Sequence, residues 1–445
     1  MAHAYRFASR NAAWILSAAS LLTMATFAPA AVPFMLTRAP EPVRERIGDG
    51  VVRFNRDEEA AKNAPASFAL ISNPKSLGAV PDNFPVNPVF TTVAGKQSVS
   101  IAIDPGTSLY GTGEVFGPLL RNGKTIVCWN TDAYGYGEKN PSLYQSHPWV
   151  LAVRADGTSF GVLADTTWRC EIDLTDGIRF TTDGPAFPVI VIDSPQGVVT
   201  GLASLVGTIP MPPLWAIGYH QCRYSYEPDS RVREIAAGFR ERKIPCDVIW
   251  MDIDYMEEYR VFTFDKTRFP DPKQLNADLH AQGFKSIWMI DPGVQAKKGY
   301  WLFDSGTAGN HWVLAPGGEA YRGEVWPGYC VFPDYTREET RQWWAGLYKD
   351  FMATGIDGVW IDMNEPAVFN VASKTMPEDN VHRGGLVLPT GTVSPGPHAR
   401  FHNVYGMLMA SATRDGIIAA NPEKRPFVLT RAGYMGSHRY AATWT

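Results

Sequence analysis

Apolar residues along this chain follow two different periods. From 31 to about 210 they come in short runs, such as Val51-Val52-Arg53-Phe54, Val99-Ser100-Ile101-Ala102-Ile103 and Val189-Ile190-Val191-Ile192, separated by Gly, Pro, Asp and Asn. Strand-length runs bounded by turn residues, with no long amphipathic helix between them, predict a β-sandwich. The cluster Pro210-Met211-Pro212-Pro213 then reads as a linker. Beyond it, strands alternate with helices. Strands are expected at 216–220, 248–253, 285–290, 359–362, 427–430 and 441–444. A helix is expected over 230–243, where Val232, Ile235, Ala236 and Phe239 recur at helical spacing with Arg and Glu on the opposite face. Comparable periods run through 339–352 and 404–413. Such alternation buries a parallel sheet between helices, as a barrel or as an open doubly wound sheet.

Where these strands end, polar residues recur: His220 and Arg223, Asp252 and Asp254, Asp291, Asp362, then Arg431. A barrel gathers all its strand ends into one ring, so a barrel is the expected form. Two stretches break the rhythm. Residues 292–335, rich in Gly and aromatics and without a clear helix before Thr336, read as an insertion after the third strand, and 366–400 read as a long loop. Loops of that length inside a compact domain usually serve as lids or walls of a site. The sharpest change of polarity lies in Gly355-Ile356-Asp357-Gly358-Val359-Trp360-Ile361-Asp362-Met363-Asn364-Glu365-Pro366. A strand buried on both faces, from Gly358 to Ile361, runs directly into three polar groups, Asp362, Asn364 and Glu365. Taken alone, Asp-x-Asn-Glu-Pro also suits a plain βα connection in which Asp and Asn cap a turn.

The chain has 445 residues, 45% of them hydrophobic, enough for large cores in two or three domains. Aromatics make up 12%, and many stand beside polar residues, a pairing that suits sugar rings: C–H faces stack while hydroxyls take hydrogen bonds. A net charge of −4 with no basic run argues against nucleic acid as a partner. Five cysteines, Cys128, Cys170, Cys222, Cys246 and Cys330, are too few for a disulfide scaffold, show no zinc-like spacing with His, and leave one or two bridges open. At the start, Arg6 and Arg10 precede an apolar stretch over 12–27 followed by Ala28-Pro29-Ala30, the pattern of a signal peptide over 1–30. The expectation is an exported protein, periplasmic or extracellular, or a tethered one if that segment stays as an anchor. No later segment is long and apolar enough to span a bilayer.

Several blocks together resemble glycoside hydrolase family 31, and within it the α-glucosidase branch: PPLWAIGYHQCRYSY at 212–226, DVIWMDIDYM at 247–256, Trp326-Pro327, GVWIDMNEP at 358–366, HNVYG at 402–406 and RPFVLTRAGYMGSHRYAATWT at 425–445. YGTGE at 110–114 and NTDAY at 130–134 resemble the family's sandwich domain and the loop it sends toward the active site. The resemblance implies an N-terminal β-sandwich domain over 31–210 and a (β/α)8 barrel over 211–445, with its insertion at 292–335. It also implies a retaining, exo-acting α-glucosidase that removes terminal α-linked glucose from an oligosaccharide or disaccharide and needs no metal or other cofactor. Asp362 would be the nucleophile, and Glu365 a supporting carboxylate. Asp252 would accept hydrogen bonds from sugar hydroxyls, and Arg431 would donate to one while steadying Asp362. Asp132 would reach in from the sandwich. Tyr224, Ile253, Ile290, Asp291, Trp326, Trp360, Met363 and Trp444 would line the pocket. The Asp-Met-Asn-Glu form of the nucleophile block favours a glucosidase over the family's xylosidase and sulfosugar branches.

Other readings of the same residues stand beside these. Asp252-Ile253-Asp254 has the form of a metal-binding pair, although nothing nearby in sequence adds further oxygen ligands. Arg431 could close a structural ion pair, and the Trp and Met residues could be core. His402 is expected to open a helix or to satisfy a backbone group. In the family, the block resembling 431–445 continues into a Gly-Asp-Asn whose aspartate is the acid/base, and this chain ends at Thr445. The expectation is therefore a barrel incomplete at its C-terminus, a fragment with little turnover of its own. A transglucosylase works by the same intermediate, and a non-catalytic carbohydrate-binding protein would keep the sugar-facing residues without the acid.

Overall fold

The computed structural model describes residues 41–194 and 196–444, so the expected export segment lies outside the described residues. In chain order the first part contains β1 (Val43–Gly48), β2 (Val51–Asn55), α1 (Glu58–Lys62), β3 (Val89–Val93), β4 (Lys96–Ile101), β5 (Ser108–Gly113) and β6 (Thr125–Cys128). It continues with β7 (Gln145–Val153), β8 (Ser159–Ala164), β9 (Cys170–Asp173), β10 (Ile178–Thr182), β11 (Val189–Ile192) and α2 (Val198–Val206). One sheet runs β1-β2-β11-β8-β7 with β5 also on β7, and the other β3-β4-β10-β9-β6. All these pairs are antiparallel.

The two inner faces meet in a core that includes Val52, Phe54, Val99, Ile101, Val150, Val162, Ile172, Phe180, Val189 and Val191. Along β11 the neighbours Ile190 and Ile192 point the other way, into a second core shared with α2 and the barrel. A strand covered on both faces has no solvent side, and this explains the uninterrupted Val-Ile-Val-Ile run.

The second part departs at once from the strand expected at 216–220. Residues 216–220 are not a strand: Leu214–Ile217 forms a 3-10 turn, and β12 is only His220–Gln221. Pro213 enters the turn at φ −64°, and the Gly218 N–H bonds back to the Trp215 carbonyl at 3.2 Å, so the segment satisfies its backbone locally. There follow α3 (Asp229–Glu241), β13 (Val248–Met251), α4 (Pro272–Ala281), β14 (Lys285–Ile290), β15 (Val294–Gln295), α5 (Trp301–Ala308), β16 (Gly323–Val325) and β17 (Gly328–Val331). After them come α6 (Glu338–Met352), β18 (Gly358–Ile361), β19 (Val381–His382), β20 (Val387–Leu388), β21 (Gly391–Thr392), β22 (Gly396–Pro397), α7 (His398–Ala420), β23 (Val428–Thr430), β24 (Gly433–Tyr434) and β25 (Ala442–Thr443).

Strands β12-β13-β14-β18-β23-β25 form one parallel sheet in sequence order, joined by helical crossovers between most neighbours, as in a (β/α) barrel. Among the described residues β12 and β25 do not pair, and the sheet is open between them. The insertion after β14 does contain a helix, α5, contrary to expectation. Its buried positions are Leu302 and Gly306, and Gly306 lies against the Trp312 ring, so there is little apolar period to read. Helix α7 is longer than 404–413 because buried His398, His402 and Asn403 stand where an apolar stripe would be sought.

The sandwich and barrel are joined by hydrogen bonds as well as by the shared core. Strand β24 pairs in parallel with β7, Gly433 opposite Gln145 and Tyr434 opposite Ser146. The Arg439 guanidinium donates to the carbonyls of Phe68, Ala69 and Val206 at 2.9, 2.6 and 2.9 Å. At the N-terminal end of the barrel strands, the buried Asp357 carboxylate accepts from the Ser286 N–H at 3.0 Å and contacts His280 Nε2 at 2.6 Å and Lys285 Nζ at 3.2 Å. This cluster stands at the end opposite the site.

Candidate active site

Parallel strands deliver their last residues to one rim, and here that rim carries Asp252 after β13, Asp291 after β14, Asp362 after β18 and Arg431 after β23. Asp362 is held by its own N–H on the Ile290 carbonyl at 3.2 Å, and Arg431 by its N–H on the Ile361 carbonyl at 3.3 Å. Asn364 ties the two loops: its Nδ2 donates to Thr430 Oγ1 at 2.9 Å and its Oδ1 accepts from the Ala432 N–H at 3.0 Å. Met363, between the two polar anchors, takes φ 53°, a left-handed conformation that a side chain adopts only when its surroundings enforce it.

Arg431 is the hub. Its Nε and Nη2 donate to the two oxygens of Glu365, both at 2.8 Å, a bidentate pair. Its Nε also lies 3.1 Å from Asp362 Oδ1, and its Nη2 3.8 Å from Asp132 Oδ1. The guanidinium carbon sits 4.9 Å from the Tyr144 ring centre, and the Tyr144 hydroxyl donates to Asp132 at 3.5 Å. Since Glu365 takes both well-directed guanidinium hydrogens, Asp362 Oδ1 is left near the cation without a hydrogen bond of its own.

Exposure then separates the two carboxylates named as catalytic. The Asp362 side chain keeps 15% of its surface accessible and Glu365 keeps 0%, so Asp362 can meet a ligand and Glu365 cannot. Glu365 positions Arg431 from behind. Asp132, arriving from the loop after β6, keeps 22% and stands on the open side.

Burial raises the carboxyl groups of Asp362 and Glu365, and the Arg431 charge opposes that rise in both. Arg431 is itself held well above its usual range: burial disfavours its charge, but Asp362, Glu365 and Asp132 outweigh that. Asp252 is pushed up to about 7 by burial, against a hydrogen bond from the Ile253 N–H, with repulsion from Asp362 and Asp254 adding to the rise. Asp291 is raised well above the carboxylate range by burial and by Asp362, and its Oδ1 has no hydrogen-bond partner. The rim thus holds carboxyl groups with distinct proton affinities, the separation that lets neighbouring acids take different roles.

Trp360 packs edge to face with Trp250 and Trp444, ring centres 5.8 and 5.4 Å away. At the outer edge the β16–β17 turn presents Trp326, 42% exposed, next to Tyr224, 58% exposed, with ring centres 6.4 Å apart. Trp326 Nε1 donates to Met363 Sδ at 2.9 Å, so the insertion is fastened to the residue beside Asp362. Ile253 and Ile290 are buried in the core, and Ile290 serves the site through its carbonyl. Asp254 lies 3.7 Å from Arg268 Nη1, and among the described residues no three His, Cys, Asp or Glu side chains are grouped to share a metal ion.

Sequence reasoning missed Tyr144, Cys222 and Glu114 as site neighbours. Cys222 follows β12 and is exposed, within reach of the fields of Asp252 and Asp362. Glu114 is raised to about 7 by burial, with Glu365 adding to the rise and Arg431 opposing it. Tyr144 could have been sought as the residue that enters β7, but nothing in its neighbourhood marks it.

A rim rich in acceptors, with one fixed cation and exposed aromatic faces, fits a neutral ligand that offers many hydroxyl donors and apolar C–H faces. Comparison with known proteins agrees. Residues 209–445 match the glycosyl hydrolases family 31 TIM-barrel domain, and residues 83–173 the glycosyl hydrolase 31 N-terminal galactose mutarotase-like domain. The chain is 42% identical over 360 residues to α-glucosidase 2 of Bacillus thermoamyloliquefaciens, covering 80% of this chain and 45% of that protein. The crystal structure of a family 31 α-glucosidase from Bacteroides thetaiotaomicron superposes with TM-score 0.70 at 52% identity, covering 78% of this chain and 56% of the other. A family 31 dextranase of Flavobacterium johnsoniae, solved with glucose, superposes with TM-score 0.78 at 27% identity over 90% of this chain and 53% of the other. The chain spans less than half the length of the first of these relatives. With strand-end carboxylates, the sandwich loop and both domain matches in agreement, this chain belongs to glycoside hydrolase family 31.

Proposed function

We propose that this chain carries the nucleophile side of a retaining, exo-acting α-glucosidase that releases terminal α-linked glucose from oligosaccharides. The observation that carries the reading is the state of Asp362: a side chain still partly open at the strand end, with its buried Oδ1 held 3.1 Å from Arg431 Nε. A carboxylate placed that way can attack an anomeric carbon to form a glycosyl ester, which water then cleaves with overall retention. Arg431 opposes the rise that burial gives the Asp362 carboxyl, which favours the ionised nucleophile, and offers its charge to a substrate hydroxyl. Asp252 and Asp132 supply acceptors for hydroxyls of the sugar ring, while Trp360 and Trp326 give it apolar faces.

A retaining mechanism needs a second carboxyl about 5 Å from the nucleophile, as acid and then as base. In the family's pattern it stands in the Gly-Asp-Asn that follows the block resembled by 425–445, and no described carboxyl is assigned that role. The α-glucosidase names of the relatives support the substrate class.

The test is trapping. The protein as its source makes it is incubated with a slow-reacting fluorinated glucosyl donor and digested for peptide mapping. A label on Asp362 is expected; a label on another residue, or none while turnover proceeds, would remove the assignment. Product analysis at high maltose decides between water and sugar acceptors, since abundant new oligosaccharides would mark a transglucosylase.

A further inference from the structure

Away from the reacting groups, three fully buried histidines form one continuous hydrogen-bonded line. Asp334 Oδ1 meets His382 Nδ1 at 2.9 Å, His382 Nε2 meets His398 Nδ1 at 2.9 Å, His398 Nε2 meets His402 Nδ1 at 2.9 Å, and His402 Nε2 meets the Asn130 carbonyl at 2.7 Å. His382 lies in β19, and His398 and His402 lie one turn apart at the start of α7.

Both ends of the line are acceptors. The Asn130 carbonyl carries no proton. Asp334 already accepts from the Thr336 hydroxyl at 2.6 Å through Oδ1 and from the Arg383 N–H at 2.9 Å through Oδ2, which favours its ionised form. Four links between two acceptor ends require four protons, and three neutral imidazoles bring three. We infer that the His382–His398–His402 line carries a fourth proton, making His382 an imidazolium paired with Asp334, and that this charged line positions Asn130 and with it the loop that bears Asp132.

Placing the fourth proton on His382 fixes the donor directions. His402 must donate from Nε2 to Asn130, and as a neutral ring it accepts at Nδ1 from His398 Nε2–H. His398 Nδ1 then accepts from His382 Nε2–H, and His382 Nδ1–H is left to donate to Asp334. The charge rests on His382 because only that ring touches a carboxylate. Burial depresses His398 well below the usual imidazole range and His402 to about 3, so neither competes for the proton. Burial works to raise Asp334, but His382 and the other hydrogen bonds hold it below its ordinary value.

The charged groups around the line are few. Arg383 Nε lies 3.5 Å from Asp334 Oδ2, and Arg337 acts on Arg383 from the same side. At the other end His402 stacks on Trp129 at 3.7 Å, and the Arg169 guanidinium, paired with Glu378 at 2.7 Å, sits 4.0 Å from that Trp129 ring. The Tyr405 hydroxyl from α7 donates to the Pro333 carbonyl.

The far end shows what the line is for. Asn130 is gripped by His402 at its carbonyl, by Asn403 Oδ1 at its N–H at 2.9 Å, and through its own Nδ2 on the carbonyls of Asn403 and Gly433 at 3.1 and 3.2 Å. Two residues on, Asp132 faces Arg431. A line with only three protons would leave one pair of acceptors facing each other at under 3 Å, and one end would open. The inference concerns positioning and holds whichever sugar occupies the site.

The experiment is nitrogen-15 NMR of histidine-labelled protein at neutral pH. Expected are a doubly protonated His382 and neutral His398 and His402, each protonated at Nε2. A singly protonated His382, or an Nδ1–H on either of the others, would overturn the inference. Asp334→Asn gives a second reading, because an amide can donate into His382 Nδ1. There His382 should lose one proton while His398 and His402 keep their tautomers, and a His382 that stayed doubly protonated would count against the charge pairing. Neither readout depends on turnover, so failure here leaves the nucleophile assignment intact.

Discussion

Replacing Arg431 by Met would remove the cation from a cluster whose other members are the carboxylates of Glu365, Asp362 and Asp132. Glu365 has no exposed surface and no partner in the bidentate pair except this guanidinium. Breaking a buried ion pair by deleting one partner costs about 3–5 kcal/mol, because the remaining charge stays desolvated. An unfolding entropy of roughly 2.1 cal/mol/K per residue over about 400 residues gives roughly 0.85 kcal/mol/K, so the melting temperature should fall by about 4–6 °C.

The pH dependence of that loss is the sharper check. Without Arg431, burial acts unopposed on Glu365 and against only the Met363 N–H on Asp362, and both folded-state carboxyls rise further. A raised carboxyl holds its proton in the folded state at a pH where the unfolded chain has released it, so stability is lost as pH rises through the folded value. The defect should therefore be larger at pH 8 than at pH 5, measured by urea unfolding at both. Arg431→Met combined with Glu365→Gln should recover much of the loss at pH 8. A defect equal at the two pH values, or a double variant no better than the single, would refute the account of Glu365 as an anchor charged only because Arg431 is there.

Two further outcomes follow from the site. Asp252, raised to about 7, binds a proton in the folded chain between its usual range and about 7, which makes its ionisation above 7 unfavourable to the ligand-free fold. Asp252→Asn should therefore be more stable than the parent at pH 8, by an amount on the order of a few kcal/mol, with little gain near pH 4; equal gains at both would show that the shift is not the cause. Cys222 is the one exposed thiol of five, and desolvation with the nearby Asp252 and Asp362 pushes it up to about 12, so iodoacetamide should modify it slowly at pH 7 and faster as pH rises toward 10, weakening binding of a glucose-configured inhibitor, with Cys222→Ser resistant. Modification without any effect on binding would move Cys222 out of the site.

The strand-end ring was legible because parallel strands impose it: Asp252, Asp291, Asp362 and Arg431 each follow an apolar run and turn polar at the same end, a recurrence that a single turn would not explain. The sandwich was legible from its short runs. What sequence did not reveal is the side of the rim on which each group lies. Glu365 and Asp362 are three residues apart in one loop, yet one is sealed and the other open, a difference set by Arg431 arriving from another strand. Helix α5 was hidden because a glycine against Trp312 replaces an apolar side chain. The histidine line was hidden because, apart from the His398–His402 pair on one helix, its links join separate elements, and His402 showed only one end of it, the bond to a backbone group.

Strand β24 has a consequence for how the protein is made. Its partner β7 belongs to the sandwich, and Gly433 pairs with Gln145 across roughly 290 residues of chain. At about 5–20 residues per second, a ribosome needs about 15–60 s to deliver one after the other. Until then, the growing sandwich presents part of β7 unpaired and the apolar outer face of its sheet uncovered. Slow codons placed between the two segments would lengthen that interval, and holdase chaperones present during synthesis should raise the yield of folded protein more than those added afterwards.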